Sequence, residues 1–194
     1  AYSYSSLYGI NSIGLRLFTV YGPWGRPDMA PMIFANAILS EKKINVFNNG
    51  NMKRDFTYID DIVESIFKLL FKRAEPNNLF DYQNPDPASS WAPYKVFNIG
   101  NSSPISLMKY IEAIENSLNI KAKKTFLPMQ PGDVPSTSAN TNLLQDFVGF
   151  KPKTSVELGI KRFIEWYKLF YRIWFNFFNI FLKNITFVES DKIN

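Results

Sequence analysis

Apolar positions along this chain fall into short runs that suit strands and into spaced stripes that suit helices, and the two kinds alternate. Ile13 to Tyr21 is a largely apolar run halted by Gly22-Pro23, which predicts a buried strand ending in a turn. Met32 to Leu39 is apolar enough for a short helix, and Ile44 to Phe47 reads as a short strand stopped by Asn48-Asn49-Gly50. From Asp60 the spacing changes. Ile62, Ile66, Leu69 and Leu70 form a stripe, Asp60 stands as N-cap, and Asp61 and Glu64 suit the positive helix end, so the pattern predicts a helix over about 61 to 72.

Residues 74 to 94 are rich in Pro, Asn, Asp and Ser and predict a long surface loop. Lys95 to Ile99 then reads as a strand closing at Gly100, followed by a helix capped by Ser106 with Leu107, Ile111, Ile114 and Leu118 on one face. Thr125 to Met129 suits a strand leading into the turn Gln130-Pro131-Gly132-Asp133. Asn140 is placed to cap a short helix around Asn142 to Phe147. Thr154 and Glu157 have the spacing of a capping box for a helix striped by Val156, Ile160, Phe163, Ile164 and Tyr167.

Beyond residue 168 the character shifts. LFYRIWFNFFNIFL at 169 to 182 is crowded with aromatic residues, but a membrane span needs about 20 mostly apolar residues, and this run holds Arg172 and two Asn between Lys168 and Lys183. An interfacial amphipathic helix or an aggregation-prone tail fits better than a span. Residues 169 to 194 are therefore set apart as an atypical aromatic tail, with weak membrane association as its expected contribution.

Composition narrows the chemistry. With 46% hydrophobic residues the 194-residue chain is globular, with room for one or two small domains. Cysteine and histidine are both absent, which removes a disulfide framework, a thiolate nucleophile and the usual transition-metal ligands, so no metal site is expected. Proton transfer would fall to Tyr, Lys, Asp or Glu. The formal charge of +5 suits an anionic partner. No basic run or recognition motif points to nucleic acid, and no targeting signal opens the chain, so the expected location is cytoplasmic, with the tail as a peripheral contact.

Four separated blocks carry a family likeness: LRLFTVYGPWGRPDMA at 15 to 30, NMKRDFTYIDDIVESI at 51 to 66, NPDPASSWAPYKVFNIGNSSPISLMKYI at 84 to 111, and LPMQPGDVPSTSANT at 127 to 141. In that order they resemble extended short-chain dehydrogenase/reductases, the NAD-dependent nucleotide-sugar epimerases and dehydratases, and among these most closely the UDP-glucuronate 4-epimerases. The likeness spans residues 1 to 168. It departs at Asn140, where relatives commonly have Asp.

The resemblance implies an α/β fold: the C-terminal part of a Rossmann-type enzyme with a small mixed α/β substrate-binding domain, its N-terminal dinucleotide-binding half missing. Residues 1 to 9 resemble the last turns of the family's active-site helix, which would place the catalytic Tyr-x-x-x-Lys pair and the Gly-rich turn upstream of Ala1. Tyr2 and Tyr4 have no Lys four positions on, and no G-x-x-G-x-x-G follows a strand. The expectation is therefore no catalytic residue in this chain, NAD bound mainly by the missing half, and an isolated chain that is inactive and marginally stable. The family's homodimer uses the helix that ends near residue 8, which leaves a dimer of this chain in doubt.

By the same resemblance, Leu17 and Phe18 would lie on the nicotinamide side of NAD. Thr19 and Arg26 would hold the sugar carboxylate, Asn45 and Phe47 would flank the uracil, Arg54 would hold the diphosphate, and Gln130 and Asp133 would meet the ribose. Read without the family, Arg26 pairs with Asp28, Arg54 pairs with Asp55 or Asp60, Asn45 and Phe47 belong to an ordinary strand, and Asp133 makes a turn. The implied reaction in the parent enzyme is interconversion of UDP-glucuronate and UDP-galacturonate at C4. The alternatives are another UDP-sugar epimerase, dehydratase or decarboxylase of the same family, and a non-catalytic fragment that binds UDP at most.

Overall fold

The computed structural model describes residues 1–172. Helix α1 (Tyr2–Tyr8) ends at Gly9, whose φ of 65° takes the left-handed turn that releases the chain into β1 (Ser12–Leu17). β1 lies parallel to β6 (Tyr94–Ile99), in register from Ser12 opposite Tyr94 to Leu17 opposite Ile99. Although the resemblance implies that half of the parent sheet lies outside this chain, β1 has a partner here over its whole length.

The single strand expected over Ile13 to Tyr21 is two. After Leu17, the Phe18 N–H donates to Ile99 O at 3.0 Å, whereas the Thr19 carbonyl accepts from Thr57 N at 3.1 Å, and β2 (Val20–Tyr21) then pairs in parallel with β5 (Thr57–Tyr58). The run changes partner at Phe18-Thr19, and a change of partner leaves no trace in local hydrophobicity. Two further pairs make up the rest of the β-structure among the described residues. β3 (Lys43–Val46) runs parallel to β8 (Lys123–Phe126), and β4 (Lys53–Arg54) runs antiparallel to β7 (Ile105–Ser106).

Among the described residues five further α-helices follow α1. They are α2 (Ala30–Leu39), α3 (Ile59–Leu69), α4 (Leu107–Leu118), α5 (Asn142–Val148) and α6 (Val156–Phe170). The stripes predicted for α3, α4 and α6 are the buried faces, with Ile62, Ile111, Ile114, Ile160, Phe163 and Ile164 almost wholly enclosed, except that α3 ends at Leu69 and Leu70, expected in its stripe, is exposed at the C-cap. Three capping details differ. α3 begins earlier, with Tyr58 rather than Asp60 at the N-cap, because Ile59 continues directly out of β5. α6 is capped by Ser155, which accepts from Leu158 N, and not by Thr154. Thr154 instead gives its own N–H to Asp61 at 2.9 Å. At α5 the N-cap is Thr141, with Asn140 Oδ1 accepting from Asn142 N just outside it. The last strand sits two residues earlier than Thr125, at Lys123, and residues 74 to 93 form the expected loop.

Two cores result. The larger gathers β3, α2, α4 and α6 around Tyr21, Phe56 and Tyr110, with Phe56 and Tyr110 stacked at 3.9 Å and Tyr21 edge-on to both. The smaller packs α3 and α5 against the β1–β6 pair through Ile62, Leu69, Phe97, Ile99 and Leu144. The strand ends Leu17, Tyr21 and Ile99 and the loops that follow them therefore lie where the two cores adjoin. No helix among the described residues is long and apolar enough to cross a membrane. The expectation for the aromatic tail falls almost entirely on 173–194, outside the described residues.

Candidate functional site

Asp55 is where the site is assembled. It is fully buried, one residue past β4, and its carboxylate accepts three backbone N–H groups: Asn101 and Ser102 at 3.0 Å each, and Ala139 at 2.8 Å. Thr57 Oγ1 shares the Asn101 N–H at 3.1 Å, and Thr137 Oγ1 accepts from Asp55 N at 3.3 Å. A buried carboxylate is tolerated only when its oxygens are satisfied, and here three fixed donors satisfy it. In return it fastens the turn after β6 and the segment leading to α5 onto one point. Gly100 makes that approach physical, because a Cβ there would stand 2.5 Å from Ala139 Cβ and 3.1 Å from Asp55 Oδ2.

Arg54, the preceding residue, faces the other way and lies close to solvent. Its Nη1 donates to Lys53 O at 2.9 Å and its Nη2 to Asp133 Oδ1 at 2.7 Å, across 79 positions of sequence. Neither of the expected pairings of Arg54 forms, since Asp55 is consumed by backbone N–H groups and Asp60 meets Arg162 at 3.6 Å. Asp133 Oδ1 also accepts Val134 N, and its backbone N–H donates to Gln130 O at 3.3 Å, so Gln130 to Asp133 is the predicted turn.

The chain from 126 to 139 acts as a strap. Leu127 exchanges bonds with Val46 O and Asn49 N beside Phe47, then Pro135 and Thr137 bond Lys53 on either side of a single bridge at Ser136. Asn48 and Asn49 take the left-handed region, with φ of 50° and 49°, to make this corner. Asn45 is exposed on β3, opposite Thr125, while Phe47 is half-buried at the start of the corner. The strap therefore links Asn45 and Phe47 at one end to Gln130, Asp133 and Arg54 at the other.

The remaining candidates lie along the β1–β2 line. Leu17 is half exposed, and Phe18 packs its Cβ toward Gly100. Thr19 is half-buried and bonded through its carbonyl to Thr57, two residues from Asp55. Arg26 stands farther along on an exposed loop, and its polar partners are within that loop: Asp28 at 3.5 Å and Met29 Sδ at 3.4 Å. The plain reading of Arg26 as an ion pair with Asp28 is thus realised, with both side chains about three-quarters exposed.

The family model matches residues 1–100. The chain belongs to the NAD dependent epimerase/dehydratase family. Among curated proteins it is 53% identical to protein CapI of Staphylococcus aureus over 89% of this chain and 52% of CapI. It is 46% identical to a probable UDP-glucuronate 4-epimerase of Rhizobium meliloti, over 89% of this chain and 51% of that protein. The chain thus spans about half the length of these relatives. Of solved structures, the UDP-glucuronic acid 4-epimerase of Bacillus cereus in complex with UDP-glucuronic acid and NAD resembles it with a TM-score of 0.72 at 28% identity, covering 87% of this chain and 49% of that one. The mixed α/β arrangement with parallel pairs is that of the Rossmann-type enzymes of this family.

Within the epimerase family frame, what sequence reasoning missed is the support. Asp55, Thr57 and Thr137 hold the strap and the Gly100 turn, yet the only local signal is an acidic residue between Arg54 and Phe56, which a solvated loop carries equally well. Asp61, expected to serve the helix end, is buried and holds both Lys153 and Thr154 N–H groups. Tyr21 and Tyr110 carry buried hydroxyls, and burial first, then neighbouring tyrosines, pushes both well above the ordinary tyrosine value. Groups so shifted keep their protons and cannot act as bases near neutral pH. Among the described residues no His/Cys/Asp/Glu cluster suits a metal.

Proposed function

We propose that this chain forms the nucleotide-sugar side of an NAD-dependent UDP-glucuronate 4-epimerase, binding the UDP-sugar while the dinucleotide is held mainly by the half of the enzyme that its relatives have in addition. The observation that carries this reading is the junction of Arg54 with Asp133 on the strap from Phe47. It sets a phosphate-binding fork, a hydroxyl-accepting carboxylate and a partly open aromatic ring in sequence along one path, which is the order of charge and polarity in a UDP group.

Inverting an unactivated carbon requires its C–H bond to be broken as hydride while the hydroxyl proton passes to a base, and NAD, with Leu17 and Phe18 toward its nicotinamide, would supply the reversible hydride acceptor. The residues of this chain orient the sugar. Arg54 fixes the diphosphate, Asp133 and Gln130 the ribose, and Asn45 and Phe47 the base. Leu17 and Phe18 offer apolar surface of the kind a nicotinamide ring packs on, but no cradle for a pyrophosphate. Thr19 and Arg26 hold the sugar carboxylate, which a 4-keto acid would otherwise lose.

A second reading takes a neutral UDP-sugar and is favoured by one observation, the Arg26–Asp28 pair, which offsets the charge meant for a carboxylate. Calorimetric titration of the full chain with UDP-glucuronate, UDP-glucose and NAD separates them. Saturable UDP-glucuronate binding, weakened by Arg26→Ala, with little for NAD, supports the acidic-sugar enzyme. Equal binding of both sugars, indifferent to Arg26→Ala, supports the neutral one. A folded chain that binds neither sugar overturns both.

A further inference from the structure

Trp24 holds a backbone conformation suited to glycine. Its φ is 63°, a left-handed value that a bulky residue rarely adopts, and its neighbours in the turn are Gly22 and Gly25. Trp24 is 75% exposed, and its ring contacts are with α6. That ring lies edge-on to Phe170 at 5.1 Å and tilted against Trp166 at 5.5 Å, and those two are themselves stacked at 5.2 Å, four residues apart on α6. The loop is fastened at its other end too, where Met29 N donates to Arg26 O at 3.1 Å and Met29 caps α2.

Arg26 lies between the two fastenings, three-quarters exposed, with Asp28 and Met29 as its partners in the same loop. Its direction is therefore set by the loop backbone, and the loop backbone by the Trp24 ring and the Met29 cap. The geometry points to Trp24, seated on Trp166 and Phe170, as the positioning residue that aims Arg26 and so sets the preference for an anionic over a neutral nucleotide sugar. This deepens the acidic-sugar reading above and rests on it for the ligand, whereas the fastening itself does not.

α6 thereby acquires a role at its far end. Its first half builds the larger core through Val156, Ile160 and Phe163, while its last turn carries the aromatic seat of a loop that follows β2. A loss of order at Trp166 or Phe170 is transmitted to Arg26 without any change in the Arg54–Asp133 junction.

The test uses the full chain with Trp166→Leu and Phe170→Leu together, Trp24→Gly, and Trp24→Phe as the conservative variant. Backbone hydrogen exchange over residues 24 to 29 should quicken in the double variant and in Trp24→Gly, and return toward the parent rate in Trp24→Phe. UDP-glucuronate binding should weaken about tenfold in the same two variants, the scale of two lost ring contacts, with UDP-glucose binding unchanged. In an Arg26→Ala background the same changes should cost nothing further. Unaltered exchange overturns the fastening whether or not any nucleotide binds. Quickened exchange with equal loss for both sugars, or additive loss with Arg26→Ala, overturns the aiming of Arg26. A parent chain that binds no UDP-sugar defeats the functional reading and, with it, the claim of anion preference.

Discussion

Arg54 donates to Asp133 at 2.7 Å, and this one bond joins the end of a two-residue strand to a turn 79 positions later. Its two side chains are only 17% and 35% exposed, so it is better shielded than a surface pair and fixes the guanidinium in one orientation. Replacing Arg54 by Ala should weaken UDP binding at least about tenfold, as expected for loss of charge-assisted bonds. Arg54→Lys should recover little, because an ammonium cannot bond Lys53 O, Asp133 and a phosphate in one plane. Titration with UDP alone reads both variants, and full binding by Arg54→Ala would remove Arg54 from the site.

Asp55→Asn keeps the shape and loses the chemistry. One of the two oxygens becomes an NH₂ facing a backbone N–H, so either the Asn101 N–H, or the Ser102 and Ala139 N–H groups together, lose their acceptor. A cost of about 3 kcal/mol is expected, measured by urea unfolding, together with loosened exchange at Ala139. An unchanged unfolding midpoint would show that water replaces the carboxylate.

Gly159→Ala should destabilise by about 2 kcal/mol, because the new Cβ would stand 2.1 Å from the Tyr21 hydroxyl oxygen. That hydroxyl is buried with no bond of its own, so Tyr21→Phe should be neutral or stabilising, and in the double variant it should restore only part of the loss, because the ring carbon at 2.8 Å remains. Additive effects of the two changes in a double-mutant cycle would contradict the contact.

Glu115 predicts an acid-sensitive contribution. Burial pushes its carboxyl up, but bonds from Lys124, the Ala122 N–H and Lys121 outweigh burial and hold it below the ordinary 4.5. A folded value below the unfolded one means stability that is complete above 4.5 and lost as pH falls through the folded value. Urea midpoints of the parent and Glu115→Gln should therefore differ most near neutral pH and converge as the pH falls below 4.5 and through the folded value. A difference independent of pH would assign the effect to packing.

The periodic parts of this molecule were legible in its sequence. Ile62 and Ile66, or Ile160, Phe163 and Ile164, announce their buried faces because helix periodicity is a local property. What stayed hidden depends on distant partners. Nothing near Phe18 or Thr19 says that the strand exchanges Ile99 for Thr57 there, and nothing near Asp55 names Ala139. Capping was read correctly at Ser106, two residues off at α3 and one residue off at α6, where Ser155 and Thr154 offer the same hydroxyl and only Asp61 decides which one is free to cap. The candidate site was named by resemblance and its scaffold was not. Arg54 and Asp133 were both singled out, while the bond between them was assigned to other carboxylates.

The pairing of β1 with β6 sets the order of events as the chain forms. Ser12 waits for Tyr94, about eighty residues later, so during synthesis the first strand leaves the ribosome well before its partner exists. Until β6 arrives, Ile13 and Leu15 lack the strand they pair with in this structure, and a parallel pair closed over so long a loop forms slowly. The interval before that closure is when chaperones have most to hold, and synonymous changes that slow translation between residues 17 and 94 would lengthen it.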